Sequence, residues 1–284
     1  MPKRFFLFLQ GGTSYFFQRL AAKLQEKGHS VYKINFNGGD RDYWTLHNTF
    51  NFRDRLDNLP AYLEQKVRHL GISDFIIYSD SRPVNAPAVP LAQKLNLRVH
   101  VFEEGYFRPY FITLERNGVN GNSSLPRNPD WYREKGERLP DHPDGQQFNF
   151  GFRPRAVSDI AYELANLANP IVFPHYKSHV PYNRWIGYVS HLRRYAKFPF
   201  CIPRDRDLIS RLVSERAPYF CLPLQLESDA QIRHYSQFTS MAQIIEHVMR
   251  SFAANAPTKT RLAIKNHPHD PGFVNFARVI SDLA

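Results

Sequence analysis

Two periodicities alternate through the first hundred residues, and that alternation restricts the fold more than any other feature. Residues 4–10, 29–37, 74–80 and 98–102 are short runs rich in aromatic and β-branched side chains, the pattern of buried strands. Between them, residues 15–27, 60–70 and 86–95 read as helices. In the first helix, Phe16, Phe17, Leu20, Ala21 and Leu24 recur at helical spacing, Ser14 is placed to cap it and Gly28 to end it. Strands that alternate with helices pair in parallel through right-handed crossovers, so an α/β, Rossmann-like first lobe is expected. Its strand ends bring Gln10, Asp80 and the Glu103-Glu104 pair toward one rim, where open α/β sheets carry their chemistry.

The turn Gln10-Gly11-Gly12 sits where a phosphate or sugar could approach a helix start. It lacks the lysine and hydroxyl of a P-loop and is not GxGxxG, so a plain strand-to-helix turn fits it as well. Glu103-Glu104-Gly105 closes the fourth strand, and Arg108 follows closely enough to reach back toward the acids. Taken alone, these residues also fit a strand-end turn with solvated carboxylates.

Beyond residue 112 the periodicity fades. Residues 113–153 read as a long loop and 156–167 as a helix. Residues 171–204 contain no Asp or Glu, and interleave Lys177, Arg184, Arg193, Arg194 and Lys197 with Tyr and Trp. That mixture suits an anionic lipid surface, an acidic glycan or single-stranded nucleic acid, and equally an aromatic helix packed between lobes with a solvated basic face. A second α/β pattern follows: helix 208–216 opened by Asp205, strand 219–224, helix 240–253, strand 261–265 and helix 271–284. The expected organisation is an N-terminal lobe (1–112), a loop-rich and basic-aromatic insert (113–204) and a partial C-terminal nucleotide-binding lobe (205–284).

Thirty-seven Lys and Arg against 26 Asp and Glu give a net charge of +11, which points to anionic partners. No RNP, helix-turn-helix or zinc pattern supports nucleic acid as the partner. Two Asp-x-Asp triplets, at Asp40 and Asp205, and the histidines at 267 and 269 lack the further ligands of a metal site. Cys201 and Cys221 have no metal spacing and fit buried thiols in a reducing compartment. No apolar run approaches a membrane span. His267 beside Lys265 at a strand end suits an anionic phosphate.

Four segments together resemble the KpsS/LipB capsule polysaccharide biosynthesis and export family: Gln10-Gly11-Gly12, residues 103–109, residues 223–229 with Gln225 and Asp229 in a QLxxD pattern, and residues 265–268. The resemblance implies two Rossmann-like lobes of GT-B type, and a retaining β-Kdo glycosyltransferase that moves Kdo from CMP-Kdo to a phosphatidylglycerol-type lipid acceptor. It implies Asp229 as nucleophile, Glu103 or Glu104 as acid/base and His267 on the donor phosphate. Gln10, Gly11, Gly12, Asp80, Arg108, Gln225 and Lys265 are the remaining candidates for substrate binding. No metal or other cofactor is implied. Family members continue past the His-Pro strand into a loop that grips CMP, so the second lobe is expected to be incomplete at the C-terminus. The other function considered is a non-catalytic capsule assembly or export factor that binds the lipid-linked glycan. Both place the chain in the cytoplasm, peripheral on the inner face of the inner membrane and able to meet other capsule assembly proteins.

Overall fold

The structure is a computed structural model that describes residues 2–105, 111–141, 152–178, 180, 182 and 184–284. The chain forms two compact units, Met1–His179 and Val180–Ala284.

The first unit is built on six strands, β1 (Phe5–Phe8), β2 (Ser30–Asn35), β3 (Thr49–Asn51), β4 (Asp74–Tyr78), β5 (Arg98–Glu104) and β6 (Ile112–Arg116). Their order is β3-β2-β1-β4-β5-β6. β1 to β5 pair in parallel and β6 closes the edge antiparallel to β5. This is the strand order of dinucleotide-binding sheets, with the last strand reversed. Helices α1 (Phe16–Glu26), α2 (Gly38–Asp42), α3 (Leu59–Leu70) and α4 (Ala88–Leu95) fill the crossovers. The period-2 geometry of a strand sends alternate residues to opposite faces. Leu7, Leu9, Ile34, Phe75, Ile77, Val99 and Val101 pack with Leu59, Leu63 and Leu91 of α3 and α4. Phe6, Phe8, Val31, Ile76 and Phe102 pack with Phe17 and Ala21 of α1 on the other face. Both faces are therefore covered, as a parallel sheet requires.

Helices α5 (Pro129–Glu137), α6 (Phe152–Ala165) and α7 (Asn169–Val172) complete the unit. α6 meets α2 at close range. A Cβ on Gly38 would lie 2.0 Å from the Ala165 carbonyl oxygen, and one on Gly39 2.2 Å from the Tyr162 ring. Only glycine permits that approach. Asn169 Oδ1 and Asn166 Oδ1 accept from the Gly38 and Gly39 N–H groups, which satisfies orphan donors in the buried first turn of α2.

At the rim where β4 and β5 begin, Asp74 is fully buried and ion-paired with Arg4, Arg98 and His100. Burial alone would raise its proton affinity. Hydrogen bonds from His100, Arg4, Ser73 and Arg98 outweigh that and hold the carboxyl well below the usual range.

The second unit begins with α8 (Arg184–Glu215), followed by β7 (Tyr219–Pro223), α9 (Ala230–Arg233), α10 (Met241–Asn255), β8 (Arg261–Lys265) and α11 (Phe276–Leu283). β7 and β8 pair in parallel, and Leu224, Ile232, Met241, Ile245 and Phe276 form the core.

Several expectations are corrected. α8 runs unbroken for 32 residues through Pro199, Pro203 and Asp205, so Asp205 opens no helix. Each proline removes one internal N–H without ending the helix. Residues 113–153 hold most of β6 and all of α5 rather than loop alone. Both cysteines are exposed. The N-cap position of α1 is Tyr15, which makes no side-chain cap bond, while Ser14 one residue earlier accepts from the Phe16 N–H at 3.4 Å.

Candidate functional site

The strand order reverses between β1 and β4, and ligands of open α/β sheets bind beyond the carboxyl ends of strands at such a point. Asn85 fastens the two ends together. Its Oδ1 accepts from the Gln10 N–H at 3.1 Å, and its Nδ2 donates to the carbonyls of Gln10 (3.1 Å) and Tyr78 (2.6 Å). Asn85 is fully buried, so this stitch lies beneath the rim. Gln10 is buried too, and its amide donates to Tyr176 Oη at 3.2 Å and Asp40 Oδ2 at 3.4 Å. It shapes the floor of the crevice from below. Lys33 lies under the same turn and donates to the carbonyls of Leu9 and Ile34, both at 2.9 Å. Burial lowers its proton affinity, against the opposing pull of Asp40. Gly11, Gly12, Ser14, Phe17, Lys33, Asp40, Tyr43 and Trp44 line a small recess here.

Gly11 and Gly12 are half-exposed on the rim. Arg82 donates to the Gly11 carbonyl at 2.7 Å and stacks on the Tyr78 ring at 4.9 Å. Next to them, Ser79 adopts a left-handed φ of 60°, uncommon for a residue with a Cβ. Its Oγ lies 2.9 Å from Ser81 Oγ, and the side chain helps hold down the proton affinity of Glu103. Glu103 is half-buried, and its Oε1 accepts from the Glu104 N–H at 3.0 Å. Burial raises its proton affinity; the Glu104 N–H, Arg82 and Ser79 hold it back. Glu104 is exposed. The two acids end β5 opposite Thr113 and Ile112 of β6. Gly105 allows that turn, because a Cβ there would lie 2.1 Å from the Phe111 carbonyl oxygen. Asp80 Oδ2 accepts from the Val119 N–H and from Asn122, so this acid anchors the segment after β6. Arg108 lies outside the described residues.

The second unit has its own strand-end cluster. After β7, Gln225 is exposed, and Glu227 accepts from the Met241 N–H at the start of α10. Asp229 is the N-cap of α9; its Oδ1 accepts from the Gln231 N–H at 2.8 Å. After β8, Lys265 is exposed and His267 half-buried. His267 Nδ1 accepts from the His269 N–H at 3.1 Å, so the neutral ring carries its proton on Nε2. Burial, then His269 and Lys265, lower its proton affinity, while Asp270 and Asp229 oppose them. Asp229 therefore acts electrostatically on His267. The loop is held by Arg194 of α8, which donates to the carbonyls of Asp270 and His267. Among the described residues, no group of three or more His, Cys, Asp or Glu is arranged to hold a metal.

Sequence reasoning misses Ser79, Arg82, Asn85 and Arg194 as members of these clusters. Lys33, a lysine inside an apolar strand, was the one visible signal.

Fold and clusters define an α/β protein with a ligand-type crevice at the switch point of its larger sheet and a histidine–carboxylate cluster in its second unit. The profile of the capsule polysaccharide biosynthesis protein family matches residues 73–284, and the chain belongs to that family. It is 34% identical over 287 residues to the capsule polysaccharide modification protein LipB of Neisseria meningitidis serogroup B, covering 96% of this chain and 67% of that protein. It is 32% identical over 284 residues to the capsule polysaccharide export protein KpsS of Escherichia coli, covering 98% and 72%. Among solved structures, a UDP-GlcNAc 2-epimerase from Neisseria meningitidis bound to UDP-GlcNAc aligns over 99% of this chain and 69% of its own. Its TM-score of 0.30 and 10% identity say nothing about chemistry.

Proposed function

We propose that this chain is a GT-B-type retaining β-Kdo glycosyltransferase of capsule assembly, moving Kdo from CMP-Kdo to a phosphatidylglycerol-type lipid acceptor. The observation that carries the reading is the contrast between Glu103 and Glu104. Glu103 is half-buried beside Arg82, and burial raises its proton affinity, the property an acid/base group needs, whereas Glu104 is exposed. Membership of the capsule family and the Asp229–His267 cluster support it.

In this reading, a carboxylate oxygen of Asp229 attacks C2 of Kdo. The C2–O bond to CMP breaks, and its electron pair leaves on the phosphate. His267 Nε2–H and the Lys265 ammonium stabilise that departing charge. The acceptor hydroxyl then attacks C2, the bond to Asp229 breaks, and Glu103 takes the hydroxyl proton. Gly11, Gly12 and Arg82 shape the rim for the acceptor, with Gln10 and Asp80 holding it from beneath. Gln225 borders the donor. No resident metal enters the scheme.

The test is incubation of the chain with CMP-Kdo and a phosphatidylglycerol-type acceptor, reading CMP release and lipid-linked Kdo. Asp229→Asn and Glu103→Gln each lose several orders of magnitude in rate, and Glu104→Gln stays near wild type. Near-normal turnover by Asp229→Asn would remove the nucleophile assignment. The word export in the E. coli relative's name favours a second reading, a non-catalytic factor binding the lipid-linked glycan. Binding of that glycan without turnover by wild type would select it.

A further inference from the structure

We propose that the first five turns of α8 form a docking face for an anionic lipid bilayer. The inward side of this stretch is defined by its contacts. Gly187 is buried, with a Cβ there 3.0 Å from the Tyr182 ring, and Tyr182 packs edge-on against Phe273 at 4.6 Å. His191, Arg194 and Phe198 are half-buried on the same side, and Arg194 grips the loop of His267.

The outward side is apolar, the reverse of an ordinary surface helix. Trp185, Val189, Leu192 and Phe200 are 48%, 49%, 69% and 80% exposed, and with Ala196 they recur every three or four residues. Ile186, Arg193, Lys197 and Arg204 border this stripe and are exposed. No acid occurs in residues 171–204. Asp207, seven residues past Phe200 and so on the same face, ends the stripe. From Trp185 to Phe200 the stripe is about 23 Å long at the helical rise of about 1.5 Å per residue.

Charge selects the occupant. Apolar side chains whose charged neighbours are all cations match acyl chains beneath anionic headgroups. A second copy of the chain would set like charges against each other. Among the described residues no helix is long and apolar enough to cross a membrane, so α8 lies along the surface rather than through it. Arg194, first grouped with Arg193 and Lys197 as a lipid contact, is occupied in holding the His267 loop. The inference does not depend on the transferase reading.

The test is co-sedimentation of the full chain with phosphatidylcholine vesicles, with and without phosphatidylglycerol, at low and high salt. Wild type binds the anionic vesicles and is released by salt. Arg193→Gln/Lys197→Gln/Arg204→Gln binds them on the order of 100-fold more weakly, at about a tenfold loss or less per cation. Leu192→Glu/Phe200→Glu binds neither vesicle. These positions are exposed, and circular dichroism melts confirm that both variants keep the wild-type fold. Equal binding to neutral and anionic vesicles, or wild-type binding by the triple variant, overturns the proposal. So does self-association in light scattering that Leu192→Glu/Phe200→Glu abolishes, which would make a second copy the occupant.

Discussion

Replacing Asp74 by Asn removes one charge from the best-satisfied ion cluster of the larger unit, at the rim opposite the crevice. The carboxylate is fully buried and accepts at 2.9 Å from Arg4 Nε, Arg98 Nε and His100 Nε2, and at 2.6 Å from Ser73 Oγ. Each hydrogen bond to a charged group contributes about 1.5–3 kcal/mol, but Arg98 is 43% exposed and its share is screened by solvent. Asn keeps the shape and one acceptor oxygen, so the net loss is about 3 kcal/mol. For a unit of this size that lowers Tm by about 6–12 °C. Urea unfolding followed by circular dichroism measures it directly. The pH dependence gives a second check. A carboxyl whose folded-state proton affinity is depressed contributes stability that is fully present above its unfolded value, 3.8, and is lost as pH falls through the folded one. The gap between wild type and Asp74→Asn is therefore widest at neutral pH and narrows below about 3.8. A difference under about 0.5 kcal/mol at pH 7, or a gap that widens in acid, would refute the assignment.

Three further outcomes are expected. Arg82→Gln removes a cation that lowers the proton affinity of Glu103, so the acidic limb of the kcat/KM profile moves to higher pH; an unmoved limb argues against Glu103 as the titrating group. Gly39→Ala forces a methyl into the Tyr162 ring and costs about 3 kcal/mol by denaturant titration, whereas Gly28→Ala has open space, its only strain being a left-handed φ of 83°, and costs less. Arg194→Gln leaves the carbonyls of His267 and Asp270 without their donor, and weakens CMP binding in calorimetry about tenfold while the rim variants leave it unchanged.

The central strands were legible because buried parallel strands are short runs rich in aromatic and β-branched residues: β1 (FFLF) and β4 (DFIIY) are nearly continuous, and β2 (SVYKIN) and β5 (RVHVFEE) keep the pattern despite polar residues. β3 was not: three residues, Thr49–Asn51, with two of them exposed leave no pattern to read. β6 alternates exposed and half-buried positions and carries Glu115 and Arg116, so it resembles loop. In α8, Pro199, Pro203 and Asp205 imitate a helix stop and a new start, yet packing carries the helix through. The exposure of Cys201 and Cys221 was not legible, since composition does not show which face of α8 or which side of β7 meets solvent. At the site, sequence located the acids and the histidine because they sit at strand ends. It could not rank Glu103 above Glu104, because the ranking comes from Ser79 and Arg82 arriving from a neighbouring strand end.

Arg194 stands between two surfaces of the second unit. Its backbone belongs to the helix whose opposite side is apolar and basic, and its guanidinium holds the carbonyls of His267 and Asp270. A rotation or tilt of that helix therefore changes the pull on the histidine loop, with no other residue needed as relay. Linkage is reciprocal: whatever factor an occupant of the helix face applies to phosphate affinity at His267, a bound phosphate applies to the affinity of that occupant. If the phosphate site proposed at His267 and the proposed docking face both hold, this one side chain couples them.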